Sequence, residues 1–287
     1  MLAAVVVWKV SHETAGGNVM ISNPVKAALK KGRVQIGTYV EELYCPQLPG
    51  ILASVGFDFM YIDMEHSSAS METVGYLCGA ALAHELVPIV RPPSKEPHLL
   101  SRPLDVGAMG LLIPHLDTAE EARKVVRAVK YPPMGERGFK VPNIHGRKFA
   151  VRDPGEYTRS ANEELLLIVQ IESRRGLRNL DAILSVRGVD GAVIGRGDLS
   201  ADLGLMGQMK HPEVNRRVET MIQVCRRRRK IAGLLVPDVQ SAKYWIDKGI
   251  RLVPYSNEVT LLQAAAGAGV REIRAHADGL SARARKA

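Results

Sequence analysis

The chain has 287 residues, 46% of them hydrophobic, which is enough to bury one large core and suits a single barrel better than two small domains. Its net charge of +9 is a signal that nucleic-acid-binding proteins share, but aromatic residues make up only 5% and no recognised nucleic-acid module occurs. Basic residues are spread along the chain apart from 226–230 and 271–286. A solvated basic face is therefore favoured over nucleic-acid binding.

The cysteine residues and the hydropathy of the sequence indicate the cellular compartment in which the protein is expected. Cys45, Cys78 and Cys225 form no CxxC pair, which argues against a disulfide framework or a structural zinc site and predicts free thiols in a reducing compartment. No apolar run approaches the roughly 20 residues of a membrane span, and the apolar segment 3–8 has no basic segment before it. We expect a soluble, cytoplasmic protein that makes no membrane contact.

Strand and helix patterns alternate about eight times along the chain. Strands are predicted at 34–39, 57–63, 87–91, 110–113, 165–171, from 191 to an end at Asp198, at 233–236 and at 252–255. Helices are predicted at 24–31, 45–55, 71–85, 98–106, 119–129, 174–184, 212–230, 240–248 and from about 259 onward. This order predicts an α/β fold, a TIM (β/α)8 barrel over residues 23–287 with a leading N-terminal helix and an extended C-terminal helix, preceded by an extension over 1–22.

Local signals support these boundaries. Asn23 and Pro24 have the residue types of an N-cap and a first helical position, and Gly32 follows the end of the same helix. Thr118 and Glu121 form a capping box. The one long excursion, from Tyr131 to about Glu163, has no core pattern and is expected to be a lid or a substrate wall.

Acidic and basic side chains follow several strands, at the end of a barrel where ligands bind. Glu172 and Asp198 follow neighbouring strands, and two carboxylates there suit a hard divalent cation with positions left for water and substrate. The alternative is that each carboxylate caps the helix that follows it. We favour the metal site because the two residues are paired on adjacent strands.

A base and a cation complete the predicted site. His66 is a candidate general base with Asp105 as its carboxylate partner, the alternative being a polar strand end bonded to loop backbone. His115 also follows a strand and is a weaker candidate. Arg91 suits a carboxylate or a developing oxyanion, and a structural salt bridge is equally compatible with the sequence.

Two further features bear on the chemistry. No predicted strand contains a lysine, which favours metal-assisted enolate chemistry over a Schiff base. Gly195 and Gly197 flank Arg196, and a dinucleotide fingerprint is disfavoured because Ser200 stands where a third glycine belongs. These glycines more plausibly let backbone N–H groups approach a carboxylate.

Several short segments together resemble the HpcH/HpaI aldolase family, over about residues 23–262 and in register with the predicted strands. The segments are Ile62-Asp63-Met64-Glu65-His66, Val90-Arg91-Pro92-Pro93, Leu104-Asp105-Val106-Gly107-Ala108, residues 131–138, Val169-Gln170-Ile171-Glu172-Ser173, residues 188–191 and residues 195–199. Departures from the usual family pattern occur at Met64, Tyr39, Arg196-Gly197, 254–257 and the 139–163 excursion.

The resemblance implies a TIM barrel assembled as a homohexamer, a trimer of dimers with exchanged C-terminal helices. It also implies a Mg²⁺, Mn²⁺ or Co²⁺ ion held at Glu172 and Asp198, with pyruvate and an aldehyde as small-molecule substrates. His66 matches the family base, Asp105 its partner and Arg91 the residue that steadies the enolate oxygen. Gln170 matches a substrate ligand, and backbone N–H groups near Gly197 and Asp198 match those that bind the pyruvate carboxylate.

The resulting hypothesis is a metal-dependent class II aldolase that cleaves a 4-hydroxy-2-oxo acid to pyruvate and an aldehyde. One alternative is a lyase for thioesters, similar to the citrate lyase β subunit or to malyl-coenzyme A lyases, with Lys140, Arg147 and Lys148 available for coenzyme A. The other is a catalytically degenerate barrel that acts through its basic surface.

Overall fold

The structure is a computed structural model that describes residues 21–140 and 153–284, with side chains up to residue 279. The strands are β1 (Gln35–Val40), β2 (Phe59–Asp63), β3 (Val87–Arg91), β4 (Gly110–Ile113), β5 (Leu166–Ile171), β6 (Gly191–Ile194), β7 (Ile231–Gly233) and β8 (Leu252–Asn257). The helices are α1 (Pro24–Lys30), α2 (Leu48–Ser54), α3 (Met71–Ala83), α4 (Pro97–Asp105), α5 (Ala119–Val129), α6 (Pro154–Glu164), α7 (Arg174–Leu184), α8 (Arg196–Asp202), α9 (Pro212–Arg228), α10 (Val239–Lys248) and α11 (Glu258–Ala284).

The eight strands form one closed parallel barrel in chain order, with β8 pairing back onto β1. The predicted TIM barrel, its leading helix α1 and its long final helix α11 are confirmed. A carboxylate adds to the backbone ladder at the β8 to β1 junction. Glu258, the buried first residue of α11, accepts hydrogen bonds from the backbone N–H groups of Glu41, Glu42 and Leu43 at 2.9, 2.7 and 2.9 Å.

Alternation along the strands decides which side chains enter the barrel. Phe59 and Tyr61 of β2 belong to the inner cluster, whereas Met60 and Ile62 belong to the cluster between strands and helices. Asp63 has the parity of Phe59 and Tyr61, so the last residue of β2 continues the inner row. By the same argument, Arg91 continues the inner row of side chains on β3, and Gln170 continues the inner row on β5. Polar side chains thus form the uppermost inner layer of an otherwise apolar barrel.

Two segments differ from the sequence-based expectation. The excursion expected to run as loop to Glu163 contains helix α6, which starts where Asp153 accepts hydrogen bonds from the N–H groups of Gly155 and Glu156. Its single fully buried aromatic, Tyr157, gives too sparse an apolar pattern to reveal a helix. Residues 141–152, including Arg147 and Lys148, lie outside the described residues.

The seventh strand is earlier than predicted. β7 ends at Gly233, and the expected run 233–236 keeps only one isolated bridge, from Val236 to Tyr255. The Leu234 N–H donates to Leu252 O, but the next donor on β8 would be the N–H that Pro254 lacks, which interrupts the ladder before the bridge at Val236. The sixth strand was expected to end at Asp198 and ends instead at Ile194, because α8 starts at Arg196.

The remaining compositional expectations concern membranes and cysteines. Among the described helices, none is both long and apolar enough to cross a membrane. Cys78 and Cys225 are buried free thiols and Cys45 is an exposed one.

Candidate active site

Asp63 and Arg91 join the carboxyl ends of β2 and β3, where they are direct neighbours in the ladder. Arg91 Nε and Nη2 donate to the two carboxylate oxygens of Asp63 at 2.7 and 2.6 Å, a bidentate geometry. Both side chains are buried, and the guanidinium carbon lies 5.3 Å from the centroid of the Tyr39 ring. Arg91 therefore carries the structural salt bridge weighed above and is also a positive charge fixed at the barrel mouth.

A histidine bridges two further carboxylates at this end. His115 Nε2 lies 2.9 Å from Glu65 Oε1, and its Nδ1 lies 3.0 Å from Glu172 Oε1. The His115 backbone N–H also donates to Glu172 Oε1 at 2.6 Å. Glu65 contacts Arg91 Nη1 at 3.1 Å. The His115 ring thus contacts both carboxylates, so His115 acts here as a positioning residue for Glu65 and Glu172.

Glu172 is enclosed by Gln170 and Gly195. Gln170 Nε2 donates to Glu172 Oε2 at 2.6 Å, and a Cβ atom on Gly195 would lie 2.4 Å from that same oxygen. Burial raises the pKa of the Glu172 carboxyl, and the hydrogen bond from Gln170 opposes this effect. Gln170 Oε1 is buried and has no hydrogen-bond partner among the described residues. The pair thus offers an unsatisfied oxygen beside a buried carboxylate.

Most of the predicted site residues line one small cavity of about 230 Å³. Five of them are on its wall: His66, Arg91, Gln170, Gly197 and Asp198. Asp198 lies in the first turn of α8 and its carboxylate has no hydrogen bond or ion pair within the described residues, so it does not cap that helix. Gly195 holds the N-cap position instead. Glu172 is not on the wall but contacts Gln170, which is.

His66 and Asp105 occupy different surroundings. The His66 side chain is 62% exposed at the rim, and its charged neighbour is Glu65, with His66 Nε2 3.7 Å from Glu65 Oε2. Asp105, at the end of α4, accepts a hydrogen bond from Arg137 Nη2 at 2.6 Å. Within the described residues no contact joins Asp105 to His66. Within this chain the Asp105 carboxylate is thus paired with Arg137, and its pairing with His66 stays a prediction.

A cation at this site would be held by few protein groups. No set of three or more His, Cys, Asp or Glu side chains has metal-binding geometry in residues 21–140 and 153–279. The free carboxylate of Asp198, the carboxylate of Glu172 and the orphaned Gln170 oxygen are all hard donors of the kind Mg²⁺ and Mn²⁺ prefer. These residues fit a divalent ion that keeps several positions for water or substrate.

Sequence reasoning missed three contributors to this geometry. The first is the pairing of Asp63 with Arg91, for which the aligned ends of two adjacent predicted strands were the available signal. The others are Glu65 as a second carboxylate on Arg91 and the bridging position of His115. His115 has a φ of 51°, a left-handed conformation that no residue pattern predicted.

A closed parallel barrel whose strand ends hold carboxylates, a fixed arginine and histidines around one small cavity is the arrangement of a barrel enzyme. A family model described as HpcH/HpaI aldolase/citrate lyase matches residues 35–265. The chain belongs to this family.

Known proteins similar to this chain include aldolases. The 4-hydroxy-2-oxo-heptane-1,7-dioate aldolase of Shigella flexneri is 40% identical over 250 residues, which are 86% of this chain and 92% of that protein. The 2-keto-3-deoxy-L-rhamnonate aldolase of Salmonella paratyphi B is 39% identical over 82% of this chain and 87% of its own length. The crystal structure of an HpcH/HpaI aldolase from Desulfitobacterium hafniense superposes with a TM-score of 0.82 at 32% identity, covering 87% and 96% of the two chains. The predicted family and a carbon–carbon lyase of the aldolase type are thereby confirmed.

Proposed function

We propose that this chain reversibly cleaves a 4-hydroxy-2-oxo acid into pyruvate and an aldehyde. The observation that carries the proposal is the small cavity lined by Arg91, Gln170, Asp198 and His66. It combines a fixed positive charge, two hard oxygen donors and a titratable base, which are the groups that an enolate reaction requires. Its volume of about 230 Å³ suits a three-carbon oxo acid.

Each residue has a role in the cleavage direction. His66 accepts the proton of the C4 hydroxyl, the C3–C4 bond breaks, and its electron pair becomes the enolate of pyruvate while C4 becomes the aldehyde carbonyl. Arg91, held by Asp63 and Glu65, supplies positive charge where the enolate oxygen develops. Protonation at C3 then gives pyruvate. The backbone N–H groups of Gly197 and Asp198, in the first turn of α8, would bind the substrate carboxylate.

Glu172 and Asp198 would hold the divalent cation, with Mg²⁺, Mn²⁺ and Co²⁺ as candidates. When bound, such an ion supplies Lewis-acid polarisation of the ketone. The residues of the chain support this role: Gly195 leaves room at the Glu172 oxygen, and Gln170 orients that carboxylate. His115 fixes its other oxygen.

The acceptor aldehyde has a separate space. A second cavity of about 630 Å³ shares Tyr39, Glu41, Arg196, Met209 and Leu235 with the smaller one. Arg196 Nη2 donates to Leu235 O at 2.6 Å, which fixes the guanidinium on the shared wall. We assign the small cavity to pyruvate and the larger one to the aldehyde, so the larger cavity sets the range of aldehydes.

The proposal is tested directly by running the reaction in the direction of synthesis. Incubation with pyruvate, a short aldehyde and Mg²⁺ or Mn²⁺ is expected to yield a 4-hydroxy-2-oxo acid, and a chelator is expected to abolish its formation. Glu172→Gln should lose the reaction, while the exposed Arg102→Lys on α4 serves as the matched control. A panel of aldehydes that gives no chelator-sensitive adduct would contradict the proposal. Acceptance of coenzyme A thioesters in place of pyruvate would favour the thioester lyase instead.

We further propose a cytoplasmic homohexamer, a trimer of dimers. Support for assembly comes from α11, whose side chains at Leu262, Val270 and Ile273 are 59%, 51% and 71% exposed. Covering such apolar surface is a common reason for oligomerisation. Light scattering on the purified chain tests the prediction, and a monodisperse monomer at micromolar concentration would contradict it.

A further inference from the structure

A cluster of basic residues lies at the end of the barrel opposite to the candidate active site. A cavity of about 530 Å³ opens where α1 and α9 end and where β7 starts. Five positively charged residues line it, with one carboxylate: Lys30, Arg226, Arg229, Lys230, Arg251 and Asp190. None of its lining residues is aromatic, and its apolar floor includes Leu29, Ile222 and Ile231.

The basic run 226–230 is divided between this cavity and the outer surface. Arg227 and Arg228 both pair with Asp181, outside the cavity. The side chains of Arg226 and Arg229 make no hydrogen bond or ion pair with any described residue. The run is therefore not a uniform solvated face, since its members differ in what they contact.

The other charged groups that line the cavity do not neutralise its positive charge. Asp190 already accepts hydrogen bonds from Lys26 Nζ at 3.0 Å and from the Leu167 N–H at 2.8 Å. Lys230 Nζ donates to Val189 O, and Arg251 Nη1 donates to Ile246 O and Ile250 O. These carbonyl contacts hold the two cations in place without offsetting their charge. Burial lowers the pKa of Lys230, and the nearby Asp190 carboxylate opposes this effect only in part.

Helix dipoles explain only part of this charge. The cavity lies near the carboxyl ends of α1, α9 and α10, where basic residues are favourable. Each helix end carries about half a negative elementary charge, so the three ends together offset fewer than two of the five cations. The cavity therefore keeps an excess of positive charge, which suits a ligand with more than one negative charge.

We propose that this cavity is a binding site for a small polyanion that carries two or more phosphate groups. The guanidinium groups of Arg226 and Arg229 are free to bind phosphate through paired N–H donors, as in other arginine–phosphate sites. The cavity volume falls in the range of small-molecule sites. Without an aromatic wall there is no surface on which a base would stack, so binding depends on the phosphates.

Calorimetric titration of the full chain with pyrophosphate, ATP and orthophosphate tests the site. Pyrophosphate and ATP are expected to bind with similar affinity, more tightly than orthophosphate, and more weakly at about 300 mM than at about 50 mM salt. The double variant Arg226→Gln/Arg229→Gln should bind pyrophosphate at least about tenfold more weakly, the scale of one lost hydrogen bond to a charged group. The matched control Arg227→Gln/Arg228→Gln removes the same net charge from the same run and should stay within about twofold of the parent.

Both double variants should keep the parent melting temperature and aldolase activity, which separates loss of the site from loss of the fold. Equal weakening by the two double variants would overturn the proposal, because it would indicate a diffuse charge effect. Absence of saturable binding would overturn it too. Tighter binding of a short single-stranded RNA than of ATP, at equal phosphate concentration, would assign the surface to nucleic acid instead.

Discussion

Gly195 shows how one missing side chain shapes the site. Its place beside Glu172 leaves no room for a methyl group, since an added Cβ would lie 2.4 Å from Glu172 Oε2 and 2.9 Å from Gln170 Nε2. Both neighbours are buried and hydrogen-bonded to each other, so neither can move without breaking that bond. A glycine at this position is therefore required by contact distance.

Gly195→Ala is expected to displace the Glu172 carboxylate and to weaken Mn²⁺ binding by about 10- to 100-fold, the usual effect of disturbing groups around metal ligands. Titration with Mn²⁺ and aldolase kinetics measure this. Gly75→Ala is the control, because its Cβ would make only an ordinary 3.6 Å contact with Val106. Unchanged Mn²⁺ affinity in Gly195→Ala would contradict the assignment of Glu172.

The two histidines at the barrel mouth differ in contacts and should differ in role. If His66 transfers the proton as proposed, His66→Asn is expected to lower kcat by about 10²- to 10⁴-fold and to leave Mn²⁺ affinity unchanged. His115→Asn is expected to weaken Mn²⁺ binding, since His115 positions Glu172. The reverse pattern would show that His115 is the base and that His66 is not.

At the scale of elements, the functional unit is the pair of strands β2 and β3. The ladder between the two strands places Asp63 beside Arg91. Because side chains alternate between the two faces of a strand, both residues lie on the inner side of the barrel. The guanidinium is therefore oriented before substrate arrives. A group already aligned with developing charge avoids reorganisation during the reaction.

Arg91→Lys is expected to lower kcat/KM by about 10²- to 10³-fold, because an ammonium group cannot make the bidentate contact with Asp63 and still face the cavity. Kinetics of 4-hydroxy-2-oxo acid cleavage test this, with Arg102→Lys as the control. Rescue of full activity by lysine would indicate that only net charge matters at this position.

Elements with local signals could be predicted from the sequence. α5 has the capping box expected from Thr118 and Glu121, and α7 has the predicted bounds of 174–184. The end of β7 at Gly233 could not be predicted, because it depends on Pro254, which is distant in sequence. The same holds for the contact between Arg137 and Asp105, 32 residues apart, which occupies the carboxylate expected to pair with His66. Long-range competition for a charged group leaves no trace in a local pattern.

For the molecule as a whole, the buried lysine that follows α5 carries a large electrostatic cost. Lys130 is 1% exposed, and its Nζ donates to the backbone oxygens of Asn162 and Leu165. Burial, assisted by the nearby Lys26, lowers the pKa of Lys130 to about 7. Its folded-state pKa is thus below the unfolded value, so the folded chain binds fewer protons between about pH 7 and pH 10.

The free energy of unfolding should therefore rise with pH across that window, by up to about 1.4 kcal/mol per pH unit from this one group. Lys130→Met should remove this contribution, so the variant's stability should rise less steeply than the parent's. Urea denaturation at pH 7, 8 and 9 measures the difference, and the exposed Lys124→Met provides the control. Parallel curves for the parent and Lys130→Met would contradict the lowered pKa.

The carboxylate of Glu258 has a consequence for how assembly and catalysis are connected. It starts α11 and holds the backbone of residues 41–43, while the Glu41 side chain lines the small cavity. A partner that packs on α11 would therefore affect Glu258, whose carboxylate holds the loop of residues 41–43 at the site. Another copy seated on that helix would thus support the wall of the small cavity from outside, and a chain cut before residue 258 would lose the three hydrogen bonds that hold the loop after β1 against the end of β8.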